Sequence, residues 1–251
     1  MENNQEIFKY IMNHEDENYN LKKMADDIGM LHSTLSVNLK KLRENDLVVR
    51  TKTNYSLTST GKLLSRAILN YYNSKKVIEE FSDFWQNHII SDIPRESIDT
   101  IFALKDSYLL YAQNYDIYLP ENYLLDNMED STYLYAIITE VNKNYIDLIS
   151  NLVLNGISVT VIIPNKIVRR FVYFLDDDVI ENDNLHLFSS EKDIKLNLFV
   201  NDFMFCLNLF RQDNYIDKHI LLVSDDTGGI KWAKSLYFYV FDREKVNVYN
   251  L

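Results

Sequence analysis

Residues 21–58 constrain this chain more than any other stretch, because two helical periods and two short β periods follow one another there with little slack. Leu21, Met24, Ala25 and Ile28 repeat at the i, i+3, i+4, i+7 spacing of one buried helix face. Gly29 then stops the helix, since glycine enters the left-handed region without a Cβ clash. Leu31, Leu35, Leu39 and Leu42 repeat on a second helical face, with small polar and basic residues outward. Val48-Val49 and Tyr55–Thr58 read as two strands with Lys52 at the tip between them. Two short helices across a glycine turn, followed by a hairpin, make a winged helix-turn-helix, a unit that places its second helix in the major groove.

Double-stranded DNA is therefore the expected partner. Ser33, Thr34, Val37 and Lys40 are expected to face the groove, with His32 and Ser36 nearer the backbone and Lys41 alongside. Val37 can touch only a thymine methyl or fill space, which makes base discrimination modest. Arg50, Lys52 and Asn54 on the hairpin are expected at phosphate or the minor groove, adding affinity more than specificity. Charge supports this once the chain is divided. The whole protein carries a formal net charge of −11, yet residues 1–76 hold 12 Lys and Arg against 9 Asp and Glu, leaving +3 there and −14 in the remainder. A basic face can meet phosphates while an acidic body repels the duplex and fixes which side docks.

The predicted organisation is a DNA-binding domain at 1–76, a helical connector at 77–92 and an α/β domain at 93–251. A helix over roughly 4–13 places Ile7, Phe8 and Ile11 inward, residues 14–18 form a polar loop, and Asn20 caps the next helix. Thr58 can cap a long helix carrying Leu63, Leu64, Ala67, Ile68, Tyr71 and Tyr72. A further stripe through Val77, Ile78, Phe81, Phe84 and Trp85 extends to about His88. Tyr71, Tyr72, Phe81, Phe84 and Trp85 exceed what a small head needs, and are expected at an interface with the second domain or a second subunit of a homodimer. Asp92-Ile-Pro94 marks the boundary, because the residue before proline avoids helical space. Beyond it, Tyr108–Ala112, Tyr133–Ile138, Ile157–Ile163, Leu185–Phe188 and Ile220–Val223 read as strands, the first two covered on both faces. Residues 143–155 read as a helix closed by Gly156, and Lys195–Val200 and Phe203–Phe210 flank Asn201-Asp202, a two-residue hairpin turn. Asp225 or Asp226 caps a last helix with Trp232, Leu236 and Tyr239. The fold class is a winged helix-turn-helix (α+β) followed by a mixed-sheet α/β regulatory domain.

Three further patterns bear on identity. Phe81-Ser-Asp-Phe-Trp-Gln-Asn-His88 precedes Ile93-Pro-Arg-Glu-Ser-Ile-Asp-Thr-Ile-Phe102, the 143–155 helix precedes Gly156 and Val159-Thr-Val-Ile162, and Leu221-Leu-Val-Ser-Asp-Asp226 precedes Ile230-Lys-Trp-Ala-Lys-Ser-Leu-Tyr-Phe-Tyr239. With the head, they make the chain resemble the archaeal methanogenesis-regulator (Fil-type) transcription factors, which join an N-terminal winged helix to a C-terminal α/β regulatory domain. The resemblance implies a transcriptional regulator whose second domain senses an effector or dimerises, and it names no ligand.

Signatures of catalysis do not occur. There is no GxGxxG or GxxxxGK[ST] phosphate loop and no GxSxG elbow. His14, His32, His88, His186 and His219 are not spaced as metal ligands, none begins an HxK motif, and His186 reads as a structural histidine. Asp176-Asp-Asp178 reads as a solvated acidic loop, and the single Cys206 as a small buried thiol. One cysteine excludes an internal disulfide or a CxxC metal site, so no cofactor or metal is expected. No run of eighteen apolar residues occurs, and the start Met-Glu-Asn-Asn-Gln-Glu lacks a basic and apolar leader, so the expectation is a cytoplasmic protein without a membrane partner. Thirteen of the 18 tyrosines lie beyond residue 76, as core and interface or as the lining of an effector pocket. Asn197, Asn208 and Arg211 are the candidate anchors there, Arg211 foremost for an anionic effector. The alternative function is a protein-interaction module, with the head as scaffold and the acidic domain binding a protein.

Overall fold

Short polar side chains close the helix ends of the N-terminal region, and this local chemistry sets where each element begins. The computed structural model describes residues 2–14, 19–243 and 247–248, and its packing divides the chain into Met1–Lys75 and Lys76–Leu251. In the first unit, α1 (Glu2–Asn13) buries Ile7, Phe8 and Ile11. The expected polar loop falls, beyond His14, outside the described residues. Asn20 caps α2 (Leu21–Asp27) by accepting from the Lys23 N–H at 2.8 Å. Gly29 turns the chain at φ +64° into α3 (His32–Glu44), whose Leu35, Leu39 and Leu42 join Met24, Ala25 and the α1 residues in one core. β1 (Val48–Thr51) and β2 (Asn54–Leu57) pair antiparallel from Val48↔Leu57 to Thr51↔Asn54, with Lys52 in the turn at φ +55°. Thr58 starts α4 (Ser59–Glu80) by accepting from the Gly61 N–H at 2.9 Å.

The second unit is built on alternation. Its elements in order are α5 (Ser82–Asn87), α6 (Arg95–Asp99), a 3-10 turn (Ile101–Leu104), β3 (Tyr108–Tyr111), α7 (Leu119–Met128), β4 (Tyr133–Ile137), α8 (Lys143–Leu154), β5 (Ser158–Pro164), α9 (Asn165–Val172), α10 (Asp177–Ile180), β6 (Leu185–Ser190), β7 (Leu196–Val200), β8 (Phe205–Leu209), β9 (Ile220–Ser224), α11 (Thr227–Arg243) and β10 (Asn247–Val248). The described strands form an eight-stranded mixed sheet in the order β10-β6-β5-β4-β7-β8-β9-β3. Leu134 and Ala136 of β4, Phe199 of β7 and Cys206 of β8 pack with α7 and α8 on one face. Ile137, Leu198, Leu207 and Leu222 pack with α11 on the other. Central strands covered on both faces read as continuous apolar runs rather than as alternation. β4, β5 and β6 are parallel, whereas β7 lies antiparallel on the other side of β4. The sheet therefore changes direction at β4, where the chain leaves toward β5 and later returns as β7.

Several expectations need correction. Residues 77–92 are not a separate connector, because Val77, Phe81, Phe84 and Ile93 are buried in the α11-side core. The division lies at Lys75–Lys76, ahead of Asp92-Ile-Pro94, because these apolar side chains bind the segment to the sheet. β3 is a sheet edge with Tyr108 and Tyr111 exposed, not a strand covered on both faces. The β7–β8 connection is four residues, since Val200 pairs with Phe205 and Asn201 Oδ1 accepts from the Phe203 and Met204 N–H groups. Asp177 and Asp178 begin the single-turn α10 while staying exposed, and His186 on β6 is exposed rather than packed. α7 and α9 were not anticipated.

Candidate functional site

One surface in each unit gathers the residues singled out by the sequence. On α3, Leu35 is fully buried while Val37 is 53% exposed. With about 100° between successive residues, Ser33, Val37, Lys40 and Glu44 share the stripe opposite the core. Ser33, Ser36, Lys40, Lys41 and His32 are exposed, but Thr34 is half-buried on the flank of the core stripe. Leu31, at the N-cap, supplies no side-chain hydrogen bond, so no side chain of the cap residue satisfies the backbone donors of the first turn of α3. Glu44 sits 3.8 Å from Lys40 Nζ and makes the far end of the stripe unwelcoming to phosphate. On the hairpin, the Arg50 guanidinium donates through Nε to the Lys52 carbonyl at 3.1 Å and lies 5.8 Å from the Tyr55 ring centre. Arg50 and Lys52 are exposed; Asn54 is half-buried, and its Oδ1 accepts from the Tyr19 N–H at 3.2 Å. Asn54 thus ties β2 to the segment before α2 and does not project freely.

In the second unit the polar residues converge at the carboxyl end of β4. Asn197 and Asn208 are cross-strand partners on β7 and β8, with side chains on the α8 face. The Thr139 N–H and hydroxyl donate to Asn197 Oδ1 at 2.8 and 2.6 Å. Asn208 Nδ2 donates to the carbonyls of Asp217 and Ile220 at 3.1 and 2.8 Å. Arg211 lines a cleft of about 290 Å³ with Tyr118, Glu121, Asp217 and Lys218, but its guanidinium is held by both Asp213 oxygens, at 3.3 and 2.7 Å. A water-sized space of about 10 Å³ lined by Asn208, Tyr145 and Leu124 also touches Glu121 and Lys218. Lys218 Nζ pairs with Glu140 Oε2 at 2.8 Å, and Glu121 Oε1 accepts from the side-chain amides of Asn142 and Asn144 at 2.8 and 3.0 Å. Burial first, then the charges of Glu140 and Glu121, push the Tyr145 phenol above its ordinary range, so it stays a neutral group.

The lip of this cleft is clamped from α5. His88 is buried, with Nδ1 2.6 Å from the Phe84 carbonyl oxygen and Nε2 3.2 Å from Asp217 Oδ2. Both neighbours are acceptors, so both contacts are hydrogen bonds only when each ring nitrogen carries a proton. Burial raises the Asp217 carboxyl, but the bond from His88 and the His219 N–H outweigh it and hold it below the usual carboxylate value. Phe81 and Phe84 are core and Trp85 is half-buried, donating to the Val77 carbonyl at 3.2 Å. They serve packing within this unit. Tyr71 is 65% exposed on α4, in edge contact with the half-buried Tyr72. Glu121, Asp217 and Lys218 of the cleft wall, and Glu140 behind Lys218, were missed from the sequence; Thr139-Glu140, directly after a buried strand and before a helix, is the signal that could have found Glu140. No group of three or more potential metal ligands occurs among the described residues, and no described helix is long and apolar enough to cross a membrane.

A family model for the methanogenesis regulatory protein FilR1, middle domain, matches residues 117–243, and one for the FilR1 N-terminal domain matches residues 7–71. The chain belongs to the FilR1 family. The methanogenesis regulatory protein FilR1 of Methanothrix harundinacea (strain 6Ac) is 24% identical over 230 residues, covering 87% of this chain and 50% of the relative. This FilR1-family chain thus spans about half the length of the curated relative it matches. Among solved structures, TrmBL2, an archaeal chromatin protein whose structure shows a novel mode of DNA binding, is 12% identical with a TM-score of 0.43, over 92% of this chain and 88% of its own. NucT from Helicobacter pylori is 17% identical with a TM-score of 0.41, over 54% of this chain and 95% of its own. At these scores neither likeness extends to fold or function. Both family models and the curated relative carry the description methanogenesis regulatory protein.

Proposed function

We propose that this FilR1-family protein is a DNA-binding transcriptional regulator whose first unit is a winged helix and whose second unit senses an effector. The observation that carries the reading is the outward stripe of α3. Ser33, Val37 and Lys40 stand opposite a fully committed leucine face, behind an uncapped first turn and beside the basic hairpin tip of Arg50 and Lys52. Backbone donors of the first turn and the hairpin cations would position the unit on phosphates, while Ser33 and Val37 reach base edges. Glu44 confines contact to the first turns of α3, the part such helices present to bases.

Homodimerisation belongs to the same proposal, because two-fold pairing supplies a second half-site at fixed spacing. Leu63, Ala67 and Tyr71 lie four residues apart on α4 and are all exposed, Leu63 at 73%. They replace Phe81 and Phe84 as the pairing surface, since those two are core. The second unit is proposed to act on the first through α4, the covalent route that carries the chain across the division. Titration of the full chain with random-sequence duplex at several salt concentrations tests the DNA reading. Affinity should fall about a hundred-fold or more between ~50 and ~200 mM salt. Binding that is absent, or independent of salt, refutes it and favours a protein-interaction module.

A further inference from the structure

One exposed stretch of the second unit carries opposite charges on either side of an apolar centre. Arg169 and Arg170 lie in the last turn of α9, the rings of Tyr173 and Phe174 follow, and Asp176, Asp177 and Asp178 open α10. Val168, Phe171, Leu175 and Val179 turn into the core, which sets Arg169, Arg170, Tyr173 and Phe174 on the outward side. Tyr173 is 81% exposed and Phe174 47%, in edge contact with ring centres 5.4 Å apart. The five charged side chains are all exposed, and none makes a hydrogen bond or ion pair among the described residues.

The order of the charges identifies what fits this face. A polyanion such as duplex phosphate would gain the two arginines but meet three carboxylates just beyond the rings. A purely cationic partner meets the reverse conflict. The face needs a partner whose charges run in the opposite order across an apolar centre. A second copy of this chain, turned by a two-fold axis, supplies that order, because an isologous contact sets residue i against j and j against i. With the axis at Tyr173, Arg169 falls opposite the partner subunit's Asp177 and Arg170 opposite the partner subunit's Asp176. The chain beyond residue 76 carries −14, so two copies repel over most of that unit's surface. At this face the arginines reverse the sign.

We propose that the α9–α10 face pairs with the same face of a second copy, in a two-fold contact centred on Tyr173 with the arginines of each copy against the aspartates of the other. The contact is separate from the α4 surface. It falls short of the ~20–30 residues a side of a stable interface, so it forms where copies are already concentrated, as on neighbouring sites of one duplex. That setting, but not the contact, rests on the DNA-binding reading.

Cross-linking of the full chain tests it. The one native thiol, Cys206, is fully buried, and burial raises it above its ordinary range, so an introduced cysteine is the reactive one. At about 100 μM protein with oxidised glutathione, Tyr173→Cys should form a disulfide-linked dimer at least about ten-fold faster than Asp126→Cys. Asp126 is exposed on α7, which packs beside β3, whereas α9 packs on β5 and β6. Within the Tyr173→Cys protein, Arg169→Glu with Arg170→Glu, or Asp176→Arg with Asp177→Arg, should each slow linkage about ten-fold. Co-expressing these two variants should restore it as a mixed dimer, identified by mass. Salt at about 1 M should also slow linkage of Tyr173→Cys itself, which keeps the test decisive if circular dichroism shows a charge variant unfolded. Linkage no faster than at Asp126→Cys, indifference to salt and to charge reversal, or a mixed pair of folded variants that links no better than either alone overturns the proposal. Arginine variants that lose duplex affinity while linking as fast as before assign the face to phosphate and overturn it as well. Duplex binding by the unsubstituted chain tests the regulator reading, and neither result decides the other.

Discussion

Replacing Gly61 with alanine should loosen the hairpin although it adds a better helix former. Gly61 lies in the first turn of α4, where an added Cβ would sit 1.9 Å from the Leu47 carbonyl oxygen and 2.9 Å from its carbon. That oxygen accepts from the Thr58 N–H at 3.0 Å, and Thr58 Oγ1 donates to the Asp46 carbonyl at 2.6 Å. An ordinary C···O contact of about 3.3 Å requires the helix and the hairpin base to part by about 1.4 Å. Alanine gains at most about 1 kcal/mol over glycine in a helix. Against this stand the Thr58 cap at about 1 kcal/mol, the Thr58–Leu47 bond at about 1 kcal/mol and overpacking of about 1–3 kcal/mol. The net cost is about 2–4 kcal/mol, or about 30-fold or more in local opening. Hydrogen exchange of the β1 and β2 amides in the full chain measures it. Exchange protection equal to or greater than the parent's would refute the reasoning, because it would mean the close approach carries no penalty.

Other outcomes follow from the same geometry. Arg50→Ala with Lys52→Ala should weaken all duplexes about equally and reduce the slope of log affinity against log salt by up to about 2; a changed sequence preference at constant affinity would contradict the phosphate role. Ser33→Ala with Lys40→Ala should relax preference for a selected site, and unaltered selection from a random duplex pool would place the reading helix elsewhere. Asp217→Asn should destabilise the second unit by about 1–3 kcal/mol at neutral pH, since it replaces the charged acceptor that the buried His88 Nε2 faces at 3.2 Å. The folded Asp217 carboxyl is held below its ordinary value, so its contribution is present at neutral pH and lost as pH falls through the acid range. The gap between parent and variant in urea titrations should therefore close on acidification; a gap that widens instead would sink this account of the Asp217 carboxylate. Leu63→Glu with Tyr71→Glu should give a monomer by light scattering at micromolar concentration, and an unchanged dimer would locate pairing elsewhere.

Local chemistry was legible in the sequence where neighbours decide it. Asn20, Gly29, Thr58 and the leucine period of α3 predict caps, turn and core face, and each of these elements forms where expected. The same logic misjudged the β7–β8 turn, because Asn201 folds back on its own chain and lengthens the loop to four residues. It also missed the function of the apolar run at 77–93, whose partners on α11 lie some 140 residues away. Two of the three proposed anchors, Asn208 and Arg211, do reach neighbouring spaces that share Glu121 and Lys218. Their inner neighbours were hidden because Glu140 acquires its meaning only when β7 returns to the side of β4, a pairing between residues about 60 apart that no local period announces.

The sheet order also bears on how the protein can be taken apart. Residues 72–116 fall between the two matched family spans, yet they contain β3, the last strand of the sheet and a partner of β9 through Leu109↔Leu222 and Leu110↔Leu221. A fragment cut at residue 117 would lose that strand and bare the backbone of Ile-Leu-Leu-Val-Ser, an uncharged β-forming ribbon open to pairing with other chains. It would also shed His88, the residue after α5 that buttresses Asp217. Modularity here thus begins near Lys76, and a middle domain expressed from residue 117 is a recipe for aggregates rather than for a soluble domain.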